Sequence, residues 1–278
     1  MPQLPSDLDE IIRRALEEDV GSGDVTTEAV VPADARVKAT LVAKADGVIA
    51  GLPVAQRVFE ILDGIAWNAA VQDGARIAVG TRLAEIDGGA RSVLTCERVA
   101  LNFLTHLSGI ATLTREYVDA CAGTESVILC TRKTLPALRA LERYAVEVGG
   151  GALHRFGLFD AVLIKDNHVA IAGGVGEAVR RARGHTDLGI EVEVDTLPQL
   201  EEALDAGADR ILLDNPDAQM VKHAVDLVAG RVPLEVSGGV TVDMVREIAG
   251  LGPMLISVGR ITHSAPALDI SLEVDISP

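Results

Sequence analysis

Two cations end an apolar run in Thr131-Arg132-Lys133-Thr134, which follows Val127 to Cys130. A guanidinium grips a carboxylate or phosphate through two parallel N–H bonds, and an ammonium beside it adds a compact point charge, so the pair suits a small anion. A solvated turn has the same composition, and the four residues alone leave both readings open. Gly149-Gly150-Gly151-Ala152-Leu153-His154-Arg155 is a glycine run ending in two more cation-capable side chains. Its glycines would let a ligand approach the backbone, or simply form a loop. Lys165-Asp166-Asn167-His168 follows Ala161 to Ile164, which puts the lysine where a buried strand emerges. A lysine there needs an anionic partner, either a ligand or a core carboxylate such as Glu193 or Asp214.

The acids have a pattern of their own. Glu191-Val192-Glu193-Val194-Asp195 alternates carboxylates with valines, so a strand here turns all three acids to one face. Three acids on one face repel unless cations, a metal or ligand hydroxyls compensate them. A half-exposed edge strand with a wet acidic face is the plainer alternative. Ser237-Gly238-Gly239 stands before a helical segment, Thr241 to Ile248, and Ser257-Val258-Gly259 ends the last apolar run. Backbone N–H groups at such turns bind phosphate in barrels of many functions, so they indicate a phosphorylated ligand rather than a reaction.

These residues need elements that bring them together. After Gly123, short apolar runs recur at Val127 to Cys130, Ala161 to Ile164, Ile190 to Val194, Arg210 to Leu213, Pro233 to Val236 and Leu255 to Val258, most followed by a helical segment. Alternating strands and helices with near-continuous apolar strands imply an α/β fold whose parallel sheet is covered on both faces. Polar residues end all six strands, as expected of a β/α barrel with its chemistry at the C-terminal face. A doubly wound sheet, which gathers its site near one switch point, is the competing architecture. Upstream, Ser6 is expected to cap an amphipathic helix ending near Gly21-Ser22-Gly23. Strands are expected at Val37 to Ala43, Gly47 to Ala50 and Arg76 to Glu85, and a helix at Glu97 to Thr114.

Composition sets outer limits. The 278 residues are 48% hydrophobic and carry a formal net charge of -16, which argues against a nucleic-acid partner. From Cys130 to His168, however, six Lys and Arg face four acids, a basic island suited to a small anion. Cys96, Cys121 and Cys130 form no C-x-x-C pair and lie at no metal-binding spacing, so a reducing, cytoplasmic setting is expected. No basic stretch precedes an apolar run at the N-terminus and no apolar stretch has membrane-spanning length, so a soluble, non-exported protein without a membrane partner is expected.

Taken together, Thr131 to Pro136, Gly149-Gly150-Gly151 with His154-Arg155, Leu163 to His168, Glu191 to Asp195, Leu212-Leu213-Asp214-Asn215 and Ser237-Gly238-Gly239 resemble the nicotinate-nucleotide pyrophosphorylase (carboxylating) family, the quinolinate phosphoribosyltransferases. The similarity runs from Gly23-Asp24-Val25-Thr26-Thr27 to Ala267-Leu268-Asp269-Ile270. It implies an incomplete seven-stranded, TIM-like β/α barrel at 109–264, with a smaller N-terminal α/β open sandwich at 1–108 joined by 265–278. It also implies a homodimer, or a higher assembly, in which Arg98 reaches into the neighbouring subunit's site.

The resemblance further implies a reaction of NAD biosynthesis. Quinolinate nitrogen attacks the anomeric carbon of phosphoribosyl pyrophosphate, pyrophosphate leaves, and loss of the 2-carboxylate as CO2 gives nicotinate mononucleotide. Arg132, His154, Arg155, Lys165 and the neighbouring subunit's Arg98 would hold the carboxylates, beside Thr131. Lys133 would sit between ring and sugar. Glu193 and Asp214 would meet the ribose hydroxyls and, weakly or indirectly, a bridging Mg²⁺. Ser237, Gly238, Gly239 and Gly259 would cradle the 5-phosphate, with His263 close by. Two departures from the family's commonest wording are Cys130 before Thr131 and Leu153 before His154. The molybdenum-utilisation branch, nicotinate phosphoribosyltransferase and a catalytically silent barrel are the alternatives. Intact Lys165 to His168 disfavours the first, the number of cations the second, and the presence of Lys133, Glu193 and Asp214 the third.

Overall fold

The computed structural model describes residues 2–62 and 64–275. In chain order the elements are α1 (Leu8–Val20), α2 (Val25–Val30), β1 (Arg36–Ala43), β2 (Gly47–Val48), α3 (Leu52–Ile61), β3 (Ala66–Ala69), β4 (Arg76–Ile77), β5 (Arg82–Gly89) and α4 (Ala90–Ala120). Then come β6 (Val127–Leu129), α5 (Arg139–Val148), β7 (Val162–Ile164), α6 (Asp166–Ala172), α7 (Val175–Arg183), β8 (Ile190–Val194) and α8 (Leu197–Asp205). The remainder is β9 (Arg210–Asp214), α9 (Ala218–Val228), β10 (Leu234–Ser237), α10 (Val242–Ile248), β11 (Leu255–Ser257), α11 (Arg260–His263) and β12 (Ile270–Val274). They form two compact units, one holding 1–115, 136–150 and 264–278, the other 116–135 and 151–263. No helix among the described residues is long and apolar enough to cross a membrane.

The first unit is built on a four-stranded antiparallel sheet ordered β12-β1-β5-β3. The expected strand at Arg76 to Glu85 is two strands, because the chain turns at Gly80 with φ +84°. The first helix ends at Gly21 as expected, but Ser6 does not cap it: Asp7 is the N-cap residue and makes no side-chain cap bond. Helix α3 has no counterpart in the sequence reading; it buries Leu52, Ala55, Val58 and Phe59, a helical spacing short enough to pass for strand. Gly149 and Gly150 also have a different use from the one expected. A Cβ on Gly149 would lie 2.7 Å from the Ala111 carbonyl oxygen, and one on Gly150 2.7 Å from an Arg115 guanidinium nitrogen, so these glycines permit close packing on α4.

In the second unit the six apolar runs form one parallel sheet ordered β6-β11-β10-β9-β8-β7. A seventh position beside β6 is reduced to a single parallel bridge, Leu129 with Ala152. The amide of Ala152 donates to the Ile128 carbonyl at 2.8 Å, and that of Cys130 to the Ala152 carbonyl at 3.1 Å. Ile190, Val192, Ile211, Leu213, Val236 and Ile256 are fully buried. Threonine and aspartate caps stop the chain from continuing as strand: Thr196 starts α8, Asp217 starts α9 and Thr241 starts α10, each accepting a backbone N–H. Register sets Asp214 level with Ser237, and Glu193 opposite Leu212.

Candidate active site

A cavity of about 620 Å³ opens at the carboxyl ends of these strands. Thr131, Arg132 and Lys133 enter it from beyond β6, His154 and Arg155 from beyond the single bridge, and Lys165 from beyond β7. Glu193, Asp214 and Ser237 come from β8, β9 and β10, with Gly238 and Gly239 completing the wall. Gly259 and His263 adjoin this group: a Cβ on Gly259 would lie 3.0 Å from Lys133 Cδ, 3.4 Å from Thr131 Oγ1 and 3.4 Å from His263 Cδ2. Arg98 belongs to the first unit, where it is exposed on α4.

The cations and acids are arranged in two ways. Arg132 lies near enough to Arg155 that, after burial, it is the next influence lowering the Arg155 pKa. Glu191 and Asp160 act in the opposite direction on Arg155, so the charges around it are partly balanced within the protein. Lys165 instead meets one of the core carboxylates considered for it, with Nζ 2.5 Å from Glu193 Oε2. The Asp214 carboxylate accepts from Asn215 Nδ2 at 2.7 Å, and the Asn215 amide donates to the Ser237 carbonyl at 2.8 Å, locking the β9 and β10 turns together.

The three-acid face of β8 is a two-acid face. The strand ends at Val194, and Asp195 is exposed where the chain turns toward α8. Glu193 faces the cavity, while Glu191 is buried below it with its Oε2 3.0 Å from His154 Nε2. The sequence reading missed Glu235, which is fully buried with Oε1 3.4 Å from the same nitrogen; Ser257, read only as part of the Ser257-Val258-Gly259 turn, donates to Glu235 Oε1 at 2.6 Å. Arg210 NH1 lies 3.2 Å from Glu235 and 4.0 Å from Glu191. The signal was an acid inside the apolar run Pro233 to Val236, two residues before Ser237.

Two carboxylates against one guanidinium leave a negative charge for His154 to balance. Burial opposes its protonation, but Glu191 and Glu235 outweigh burial and raise its pKa from 6.5 to about 9. The Arg155 N–H points at Nδ1 at 2.7 Å, so a second ring proton requires that contact to open slightly. The charge balance favours the imidazolium. Burial likewise pushes the Glu191 carboxyl up, with the charge of Glu235 adding to the effect and His154 opposing it. Because the folded value of His154 exceeds the unfolded one, its contribution is complete below pH 6.5 and disappears as pH rises through about 9. Urea titrations should therefore show stability falling by about 3 kcal/mol across that window. The fall should be absent in His154→Gln, and an equal fall in that variant would assign it to another group.

The residues that match family models can now be placed on this geometry. The model of the quinolinate phosphoribosyl transferase C-terminal domain matches residues 110–273, and that of the N-terminal domain matches 24–108. The chain belongs to the quinolinate phosphoribosyltransferase family. A relative named nicotinate-nucleotide pyrophosphorylase (carboxylating) from Mycobacterium leprae is 47% identical, over 95% of this chain and 95% of its own length. A Bacillus subtilis relative, a probable nicotinate-nucleotide pyrophosphorylase (carboxylating), is 42% identical over 97% of this chain and 94% of its own. The crystal structure of NadC from Streptococcus pyogenes superposes with a TM-score of 0.94 at 44% identity, covering 98% of both chains. Quinolinate phosphoribosyltransferase motifs thus account for the fold and for the gathering of the cavity residues from separate strands.

Proposed function

We propose that this chain converts quinolinate and phosphoribosyl pyrophosphate to nicotinate mononucleotide, carbon dioxide and pyrophosphate, a step of NAD biosynthesis. The observation that carries the reading is the convergence on one cavity of Arg132, Lys133, Arg155 and Lys165 with Glu193, Asp214 and the turn at Ser237-Gly238-Gly239. Cations suit a dicarboxylate, carboxylates suit ribose hydroxyls, and open backbone N–H groups suit a phosphate.

In this reading Arg132 and Arg155 take the ring carboxylates, with Thr131 beside them and His154 beneath. Lys133 reaches the junction of ring and sugar. Glu193 and Asp214 orient the ribose, and their charge favours the positive charge that develops at the anomeric carbon as pyrophosphate departs. Once the ring nitrogen is quaternary it stabilises the carbanion left by decarboxylation, so orientation and electrostatics do most of the protein's work. Gly259 and His263 border the phosphate end. The carboxylates of Glu193 and Asp214 fit the oxygen chemistry of Mg²⁺, which is commonly held by one or two carboxylates together with substrate phosphates. When bound, that ion would neutralise charge on the leaving pyrophosphate.

The reading includes a homodimer, or a higher assembly, whose sites share Arg98, and a cytoplasmic location; Cys96, Cys121 and Cys130, buried and not joined in disulfides, agree with a reducing compartment. Mixing Arg98→Ala and Lys133→Ala subunits should restore up to about half of wild-type activity, because each mixed dimer then contains one intact site. Verified mixed dimers without recovery would reject sharing. The direct test is release of carbon dioxide and pyrophosphate from the purified protein given Mg²⁺, phosphoribosyl pyrophosphate and either quinolinate or nicotinate. Turnover with quinolinate alone supports the reading, whereas turnover with nicotinate alone moves the function to nicotinate phosphoribosyltransferase.

A further inference from the structure

The cavity floor contains a polar layer that the proposed reaction does not use directly. Glu191 stands two residues before Glu193 on β8, Glu235 two before Ser237 on β10, and Ser257 two before Gly259 at the end of β11. Strand alternation turns Glu191 with Glu193, and Glu235 with Ser237, toward one face, stacking one layer below the other. Barrel interiors are ordinarily filled with Val, Ile and Leu, and burying carboxylates instead carries a desolvation cost. Glu235 nevertheless lies fully buried, held by the Ser257 hydroxyl at 2.6 Å and Arg210 NH1 at 3.2 Å.

The layer has a mechanical output. One edge of the His154 ring faces Glu191 and Glu235, at 3.0 and 3.4 Å from Nε2. The opposite edge, Nδ1, lies 2.7 Å from the backbone nitrogen of Arg155 and accepts its N–H when the ring carries its single proton on Nε2. The ring is therefore a strut between the buried carboxylates and the peptide carrying Arg155, whose NH1 is also tied to the Ala161 carbonyl at 3.1 Å. A metal among His154, Glu191 and Glu235 is disfavoured, because Arg210 already supplies positive charge to both carboxylates.

We propose that Glu235 is a positioning residue for the dicarboxylate: acting through His154, it fixes the His154–Arg155 peptide so that the Arg155 guanidinium meets a substrate carboxylate beside Arg132. This deepens the quinolinate reading and rests on it. Steady-state kinetics on the purified full chain, varying each substrate in turn, tests it. Glu235→Gln should raise KM for quinolinate about tenfold while leaving KM for phosphoribosyl pyrophosphate within about twofold. Combined with His154→Gln, it should add little to the effect of the histidine change alone, since both act along one route. Where Glu235→Gln does not fold, Ser257→Ala keeps the buried charge paired with Arg210 and should shift the same KM about threefold. Unchanged quinolinate KM, parallel rises in both KM values, or multiplicative effects in the double variant would overturn the role of Glu235 while wild-type turnover leaves the reaction intact. A wild-type protein inactive with quinolinate would overturn both.

Discussion

Replacing Lys133 by alanine should lower kcat for quinolinate by about 100- to 1000-fold, the range found when a preorganised electrostatic group is removed from a reacting centre. The backbone here is pinned on both sides. The Lys133 amide donates to Thr131 Oγ1 at 3.1 Å, and its carbonyl accepts from Thr262 Oγ1 at 2.6 Å. The side-chain stem passes Gly259, where even a methyl group would stand 3.0 Å from Cδ. Lys165 is paired with Glu193, whereas Lys133 forms no ion pair among the described residues, so its charge is available to a substrate. Loss of an exposed, unpaired lysine should leave Tm nearly unchanged. Single-turnover measurement of carbon dioxide release would check the prediction, and retention of more than about a tenth of the wild-type rate would remove Lys133 from the reaction.

Gly238→Ala should raise KM for phosphoribosyl pyrophosphate by about 100-fold or more and lower stability by about 2 kcal/mol. Gly238 has φ +93°, a region that L side chains rarely adopt, and an added Cβ would lie 2.4 Å from Asn215 Cγ. Asn215 cannot readily yield, being itself at φ +48° and tied to Ser237 and Asp214. Alanine would therefore disturb the Ser237-Gly238-Gly239 turn and the Asp214 carboxylate together, the two groups proposed to meet the phosphate and the ribose. Gly239→Ala is the internal comparison: its φ is also positive, at +57°, but the nearest atom, Asn215 Oδ1, is 3.7 Å away. Its effect on the same KM should be at least about tenfold smaller. Equal effects would place the cost in backbone strain alone.

The barrel was legible because its strands are buried on both faces, so each reads as an apolar run that stops where polar residues begin. The same logic fails at run ends and inside runs. Asp195 was grouped with Glu191 and Glu193 because alternation was carried one residue past Val194, where Thr196 begins capping α8 and ends the strand geometry. Glu235 was overlooked for the opposite reason: flanked by Leu234 and Val236, it passed as part of a hydrophobic strand, and only packing reveals its partners. In the first unit, Leu52 to Ile61 lies among short apolar segments whose helical and strand periods are difficult to separate. The glycines at 149 and 150 show a further limit, since a residue chosen for the absence of a side chain does not reveal what approaches it.

The pairing of β1 with β12 bears on how the chain is made. Residues Ala39 to Ala43 pair with Ile270–Val274 on one side, and Arg36 to Val42 pair with β5 on the other. During synthesis β1 and β5 leave the ribosome early, whereas β12 is translated only after every strand of the barrel. Until it arrives, β1 presents an open edge able to pair with another nascent chain. The parallel sheet can form in that interval, whereas the four-stranded antiparallel sheet is complete only once β12 has been made.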